Sequence, residues 1–316
     1  MKVVVLAGGV GGARLAFGLQ RALAPEELTV IVNTGDDFQH LGLRICPDLD
    51  TVTYTLAGLA NRETGWGVAG DTFEALAALE RVGGPAWFHL GDRDLATHLQ
   101  RTALLSQGLR LTEVTARIST ALGVTSRVLP MTDEVVATKV LTPEGEIDFQ
   151  DYFVRRRCEP EVKGVRFDGI EAARPSPEAV AALRDADGIV IAPSNPFVSV
   201  EPILSLAGVR EAVASKPAVA VSPIVGGQAI KGPAAKMLRE LGQGVSAVGV
   251  ARRYAGLIGG FVMDRQDASL EGEGSTLGFE TVLAQTIMRS DDERESLARV
   301  CLALLARVAP RHGRSR

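Results

Sequence analysis

"VVVLAGGVGGARLAFGLQRAL", residues 3–23, joins a run of aliphatic residues to a helical pattern through a glycine-rich turn. Val3 to Ala7 contain no polar side chain, which predicts a strand buried on both faces of a parallel sheet. Leu15, Leu19 and Leu23 then recur at helical spacing. "LTVIVN" at 28–33 predicts a second buried strand, so the chain opens with a βαβ unit, a connection that is right-handed almost without exception. The fold class that follows is α/β, a doubly wound, mainly parallel Rossmann-like sheet.

The same alternation returns later in the chain. Strands at 188–194 and 218–223 alternate with helical stretches near 200–214 and 234–241, and "SAVGVARRYAGL" leads into the strand "GGFVMD". "SDDERESLARVCLALLARVA" predicts one amphipathic helix capped by Ser290, and "PRHGRSR" a frayed basic tail. Between the two halves, 51–125 reads as a helical insertion with Thr72, Ser106 and Thr112 as candidate cap or turn residues. A strand is expected at "AWFHL", 86–90, and three short strands in a small arm at 135–170. All 316 residues are expected to form one domain carrying these two additions.

Composition narrows the function classes. Apolar residues make up 46% and charged residues 23%, the profile of a soluble globular protein. A net charge of -4 gives no basic footprint for nucleic acid. Cys46, Cys158 and Cys301 lack CxxC spacing, which argues against a zinc site or a disulfide framework and for a reducing, cytoplasmic setting. The N-terminal apolar run is cut short by glycines and Arg14, so it reads as a strand and not a secretory signal. No run approaches the roughly 18 apolar residues that a membrane helix needs.

Gly8, Gly9, Gly11 and Gly12 fall where strand turns into helix, so their amides and the helix N-terminus suit an anionic phosphate. Arg14 stands where the third glycine of G-x-G-x-x-G would fall, and Asn33, not an acid, ends the second strand. The dinucleotide fingerprint is therefore incomplete, and without a Gly-Lys dipeptide no Walker-type loop exists. The structural alternative is that these glycines only permit tight strand-to-helix packing.

"NTGDDFQHLGLRICPDLDT", 33–51, then places Asp36, Asp37, Asp48 and Asp50 in an apparent loop at the carboxyl edge of the second strand. Such acids would repel a diphosphate unless a divalent cation lay between them, and magnesium takes one or two carboxylates plus phosphate oxygens. The residues leave open which of the four would bind it. Their structural alternatives are a simple turn at Asp36-Asp37 and a helix cap at Asp50. "LGDRDLATH" puts Asp92, Arg93 and Asp94 at a helix start, where Asp92 could cap and Arg93 pair on the surface; His89 and His98 read as structural. "APSNPFVSV" and "SPIVGGQAIKGPAAK" are further post-strand loops. They offer Ser194, Asn195, Lys231 and Lys236 to a nucleotide.

In this order "GGVGGAR", "NTGDD", "ICPDLDT", "GDRDLATH", "APSNP" and "SPI" resemble the 2-phospho-L-lactate transferase family of deazaflavin coenzyme F-420 biosynthesis, which includes bacterial phosphoenolpyruvate transferases. The resemblance implies a magnesium-dependent transferase of substituted phosphate groups. It would move a 2-phospholactyl, enolpyruvyl-phosphate or phosphoglyceryl group from a guanosine diphospho-linked donor to the deazaflavin Fo, releasing GMP. It also implies Fo contacts at Asp50 and Arg93, magnesium at Asp36 and Asp50, and a homodimer. Asp50 is then the candidate to orient or deprotonate the attacking hydroxyl. The rival from another class is a non-enzymatic nucleotide-binding regulator of the related gluconeogenesis-factor type, which is not expected to combine "PDLDT" with "GDRD".

Overall fold

Val3–Ala7 is β1 of the computed structural model, which describes residues 1–312. It lies inside a seven-stranded sheet with β2 (Leu28–Val32), β3 (Arg127–Pro130), β4 (Gly188–Ile191), β5 (Ala218–Val221), β6 (Gly260–Asp264) and β7 (Glu280–Ala284). The spatial order is β3-β2-β1-β4-β5-β6-β7, and every pairing is parallel. Val5 is in register with Val30 on one side and Val190 on the other. Between β1 and β4 the order reverses direction. In open α/β sheets that reversal splays the following loops apart and leaves a ligand crevice at the strands' carboxyl ends.

Alternate residues of each strand face opposite sides, and both sides are covered. Val3, Val5 and Ala7 pack with Leu15 and Leu19 of α1 (Gly9–Ala22) and with Leu304 of the C-terminal helix Asp291–His312. Val4 and Leu6 pack with Leu183, Val213 and Met237 and with Phe149 and Tyr152, which lie between the second and third strands of the arm. This is the doubly wound α/β arrangement expected from the buried strand runs. The arm is a three-stranded antiparallel sheet of Ala137–Thr142, Gly145–Asp148 and Gly164–Asp168. Thr138 N–H donates to Gly35 O at 2.7 Å and so ties the arm to the acidic loop.

Between β2 and β3 come a short hairpin (Phe38–His40 with Leu43–Ile45), α2 (Pro47–Leu56), α3 (Glu74–Arg81), α4 (Asp92–Ser106) and α5 (Leu111–Ala121). Three expectations fail here. Asp48 and Asp50 are not in a loop, because Pro47 opens α2 where its missing N–H costs no helix bond. Asp50 is therefore no cap; its own N–H donates to Cys46 O at 3.0 Å. "AWFHL" is not a strand: Trp87 and Phe88 instead cluster with Phe38 and His40, ring centroids 5.0–6.1 Å apart.

The caps also differ from expectation. Thr112 lies inside α5 and Ser106 ends α4. α3 is capped by Asp92, which accepts from Glu74 N–H and Ala75 N–H at 3.0 Å each, and α4 by Asp71, which accepts from Arg93 N–H at 2.8 Å. Ser290 does cap the last helix, since Glu293 N–H donates to its Oγ at 3.2 Å. Of the expected tail, 313–316 lie outside the described residues. No described helix is long and apolar enough to cross a membrane.

Candidate active site at the strand switch point

The loops after β1 and β4 are drawn together by the glycines. A Cβ on Gly11 would lie 2.3 Å from Pro193 O, so only glycine lets the two loops close. Ser194 Oγ donates to Gly8 O at 2.7 Å and accepts from Gly8 N–H at 3.1 Å. Gly9 N–H donates to Asp48 Oδ1 at 2.7 Å. Two amides that the sequence offered to a phosphate are thus engaged within the protein. Asn195 caps the next turn by accepting from Phe197 N–H at 2.9 Å. Gly8, Gly9, Gly11, Ser194 and Asn195 nevertheless all line one cavity of about 640 Å³, whereas Gly12 is not among its lining residues. A volume of that order suits a small-molecule site.

Of the acids, Asp36, Asp48 and Asp50 line this cavity. Asp37 does not; it pairs with Arg44 at 3.1 Å, and burial pushes its carboxyl to about 6 against that cation's pull. Burial also pushes Asp48 to about 6, although Asn33 Nδ2 and Gly9 N–H both donate to it. For Asp36, burial and then the neighbouring Asp48 charge drive the carboxyl well above the usual range. Asp36 Oδ1 is buried with no hydrogen-bond partner. Two buried acids that repel each other, one with an unbonded oxygen, form a set that a divalent cation would satisfy.

Asp50 has a different environment. Arg101, only 3% exposed, donates from Nη1 to Asp50 Oδ2 at 3.0 Å and from Nη2 to Oδ1. His98 Nδ1 sits 3.0 Å from Arg101 Nη1, and His98 Nε2 3.2 Å from Asp94 Oδ1. Tyr54 O–H donates to Asp94 at 2.7 Å. Burial would raise Asp94, but His98, Tyr54 and Arg101 outweigh it and hold the carboxyl below its ordinary range. Asp50, Asp94 and His98 stand close enough to hold a metal ion, their candidate ligand atoms lying within 4.8 Å of one another. The Arg101 cation already bound to Asp50 opposes a second positive charge there.

Other expected residues are dispersed. Arg93 is exposed on the first turn of α4, donates to Ala69 O at 3.2 Å, and is not among the lining residues. Lys236 is bonded to Pro160 O and Glu240 at 2.7 and 2.6 Å and also does not line the cavity, whereas Lys231 does. His98, expected to be structural, lines the cavity as part of the Asp50 network, and His89 lines it too. The sequence reading missed Arg101, Tyr54 and an aromatic wall of Trp66, Phe88, Phe149 and Phe153. Helical spacing carried part of that signal. Asp50 and Tyr54 are four apart on α2, and Asp94, His98 and Arg101 follow at i, i+4 and i+7 on α4.

With this geometry in place, comparison with known proteins adds a family. The sequence model described as "2-phospho-L-lactate transferase CofD" matches residues 3–287. A phosphoenolpyruvate transferase of Streptomyces griseus is 43% identical over 316 residues, covering 98% of this chain and 99% of its own. A 2-phospho-L-lactate transferase of Methanosarcina mazei is 39% identical over 298 residues, covering 94% and 98%. Among solved structures, a UPF0052 family member of Bacillus halodurans superposes with a TM-score of 0.61 at 17% identity, over 95% of this chain and 98% of that one. At that identity the likeness concerns the fold alone.

Proposed function

The chain belongs to the 2-phospho-L-lactate transferase CofD family, and on that footing we propose that it moves a phospho-three-carbon-acid group from a guanosine diphospho-linked donor to the deazaflavin Fo, with GMP leaving, in coenzyme F-420 biosynthesis. The observation that carries the reading is the buried Asp36–Asp48 pair beside the glycine turn, with Asp36 Oδ1 lacking a partner. Magnesium fits that pair. The resemblance pointed to Asp36 and Asp50; because Arg101 already neutralises Asp50, we assign the ion to Asp36 and Asp48. When bound, it would offset negative charge on the donor's phosphate oxygens, the main requirement of a loose phosphoryl-type transition state.

The chain's own side chains divide the remaining work. Asp48 is held in place by Asn33 and Gly9 N–H. Asp50, fixed by Arg101, is an oriented acceptor that can take a hydrogen bond or a proton from the attacking ribityl hydroxyl. Trp66 and Phe88 offer flat apolar surface to a ring system and exclude water from it. Arg93 spends one N–H on Ala69 O, which leaves its other guanidinium donors for the acceptor.

The test is to incubate the protein with Fo, Mg²⁺ and, separately, the lactyl, enolpyruvyl and glyceryl forms of the guanosine diphospho-linked donor, and to follow products by mass. One donor should yield the phosphodiester and an equal amount of GMP, and chelation should abolish both. Asp48→Asn should lower kcat about 100-fold or more, the order seen when a charge-stabilising group is removed. No product from any donor, with no binding of Fo, would overturn the reading.

A further inference from the structure

Two cations line the cavity without a counter-ion. Arg14, half-buried in the second turn of α1, donates from Nη1 to Met288 O at 3.2 Å, and Lys231 Nζ donates to Thr64 O. Both partners are neutral carbonyls, and among the described residues neither cation has a carboxylate within ion-pair distance. Other partly or fully buried arginines are paired: Arg44 with Asp37, Arg101 with Asp50, Arg253 with Glu201 and Arg294 with Asp291. Burial lowers the pKa of Arg14 and of Lys231, and the Arg14 charge lowers that of Lys231 further, so the two feel each other.

They meet at one corner of the cavity. A Cβ on Gly65 would stand 2.7 Å from Val10 Cγ1 and 3.0 Å from Lys231 Nζ, so the loop carrying Thr64 and Trp66 folds directly onto the first turn of α1. Val10, in that turn, lines the cavity with both cations. Arg14 is half-buried without an opposite charge, which is costly, and an anion entering this corner beside the exposed Lys231 removes the cost.

We propose that Arg14 and Lys231 together bind the phosphate that stays with the nucleotide, in an anion subsite separate from the Asp36–Asp48 pair. The identity of the ligand as a nucleotide rests on the functional reading above; the anion subsite itself rests on the two unpaired cations. The cavity then carries opposite charges in two places. The acids accept phosphate oxygens only through a metal ion, while the cation corner takes them directly and needs no metal. Arg14 also fills the position where a dinucleotide fingerprint would have glycine, so this turn adds a charged side chain where that fingerprint relies on close backbone approach.

Calorimetry in EDTA with GMP, inorganic pyrophosphate and guanosine tests the proposal. Wild-type protein should bind GMP more tightly than guanosine. Arg14→Ala and Lys231→Ala should each weaken GMP and pyrophosphate at least tenfold while leaving guanosine within twofold, and Arg14→Lys should recover part of the loss. Equal weakening of GMP and guanosine, unchanged GMP binding in both variants, or no phosphate-dependent binding by the wild type would each overturn it. Should Arg14→Ala fail to fold by circular dichroism, Lys231→Ala, on an exposed loop, decides the matter alone. Group transfer is measured separately: selective loss of GMP binding in a protein that transfers nothing sinks the functional reading and keeps the subsite.

Discussion

Arg101 and Asp50 stand 51 positions apart, and each is the other's buried counter-charge. Removing one partner of such a pair leaves an uncompensated charge, at a cost of about 3–5 kcal/mol. Arg101→Met and Asp50→Asn are therefore each expected to lower stability by ~3 kcal/mol in urea unfolding, and the double variant by clearly less than the sum. Strictly additive losses would show that the two side chains do not depend on each other. The clustering of the four acids was legible because "NTGDD" and "PDLDT" lie close together in the chain. Which acid was already neutralised was not legible, since Arg101 arrives from another helix. Asp94, His98 and Arg101 share one face of α4, yet the helix is polar at so many positions that nothing in its pattern says this face turns inward. The glycines illustrate the same limit. Their place at a strand-to-helix turn was plain, but the bonds from Gly8 and Gly9 to Ser194 and Asp48 depend on segments remote in sequence.

α3 contains no buried residue, so little apolar packing holds it and its end must be secured in another way. Asp92 supplies that hold from the start of α4, and Asp71, just before α3, caps α4 in return. Asp92→Ala is expected to quicken amide exchange across 74–81 roughly fivefold, the order of effect of a lost cap, with 111–121 unchanged. Unchanged exchange in 74–81 would remove Asp92 from this role. Helix existence in this stretch was readable from apolar spacing, but a cap donated by a neighbouring helix leaves no local signal. Strands followed the same division. The wholly buried β1, β4, β5 and β6 announced themselves as unbroken apolar runs, whereas β3 and β7 lie at the two edges of the sheet and went unread. Arg127 and Glu280, at the starts of those edge strands, break the apolar run. "AWFHL" misled for the converse reason, because aromatic enrichment suits a ring cluster as well as a strand.

Across the whole molecule, strand order locates the site more reliably than the glycine motif does. The sheet reverses between β1 and β4, and the loops that follow these two strands both line the cavity, although the dinucleotide fingerprint is broken at Arg14. The family match stops at residue 287, before the helix Asp291–His312 begins, yet that helix, beside α1, covers one face of the sheet over β4–β7. Leu297, Ala298, Cys301, Leu304, Leu305 and Val308 are all buried there. At ~1.5–3 kcal/mol for each large aliphatic side chain, their burial contributes on the order of 10 kcal/mol. Whole domains are stable by only about 5–15 kcal/mol. Ending the chain at Ser290 should therefore abolish cooperative unfolding and leave a species that binds an apolar dye, as chains do when secondary structure outlasts packing. The helix also places Arg294 over the Phe17 ring, 5.3 Å from its centroid, on the α1 that carries Arg14. A shortened chain that still melted cooperatively but bound GMP poorly would show that the helix serves the cation corner more than the core. A shortened chain with normal melting and normal GMP binding would show that the sheet face needs no cover, contrary to the burial of those six residues.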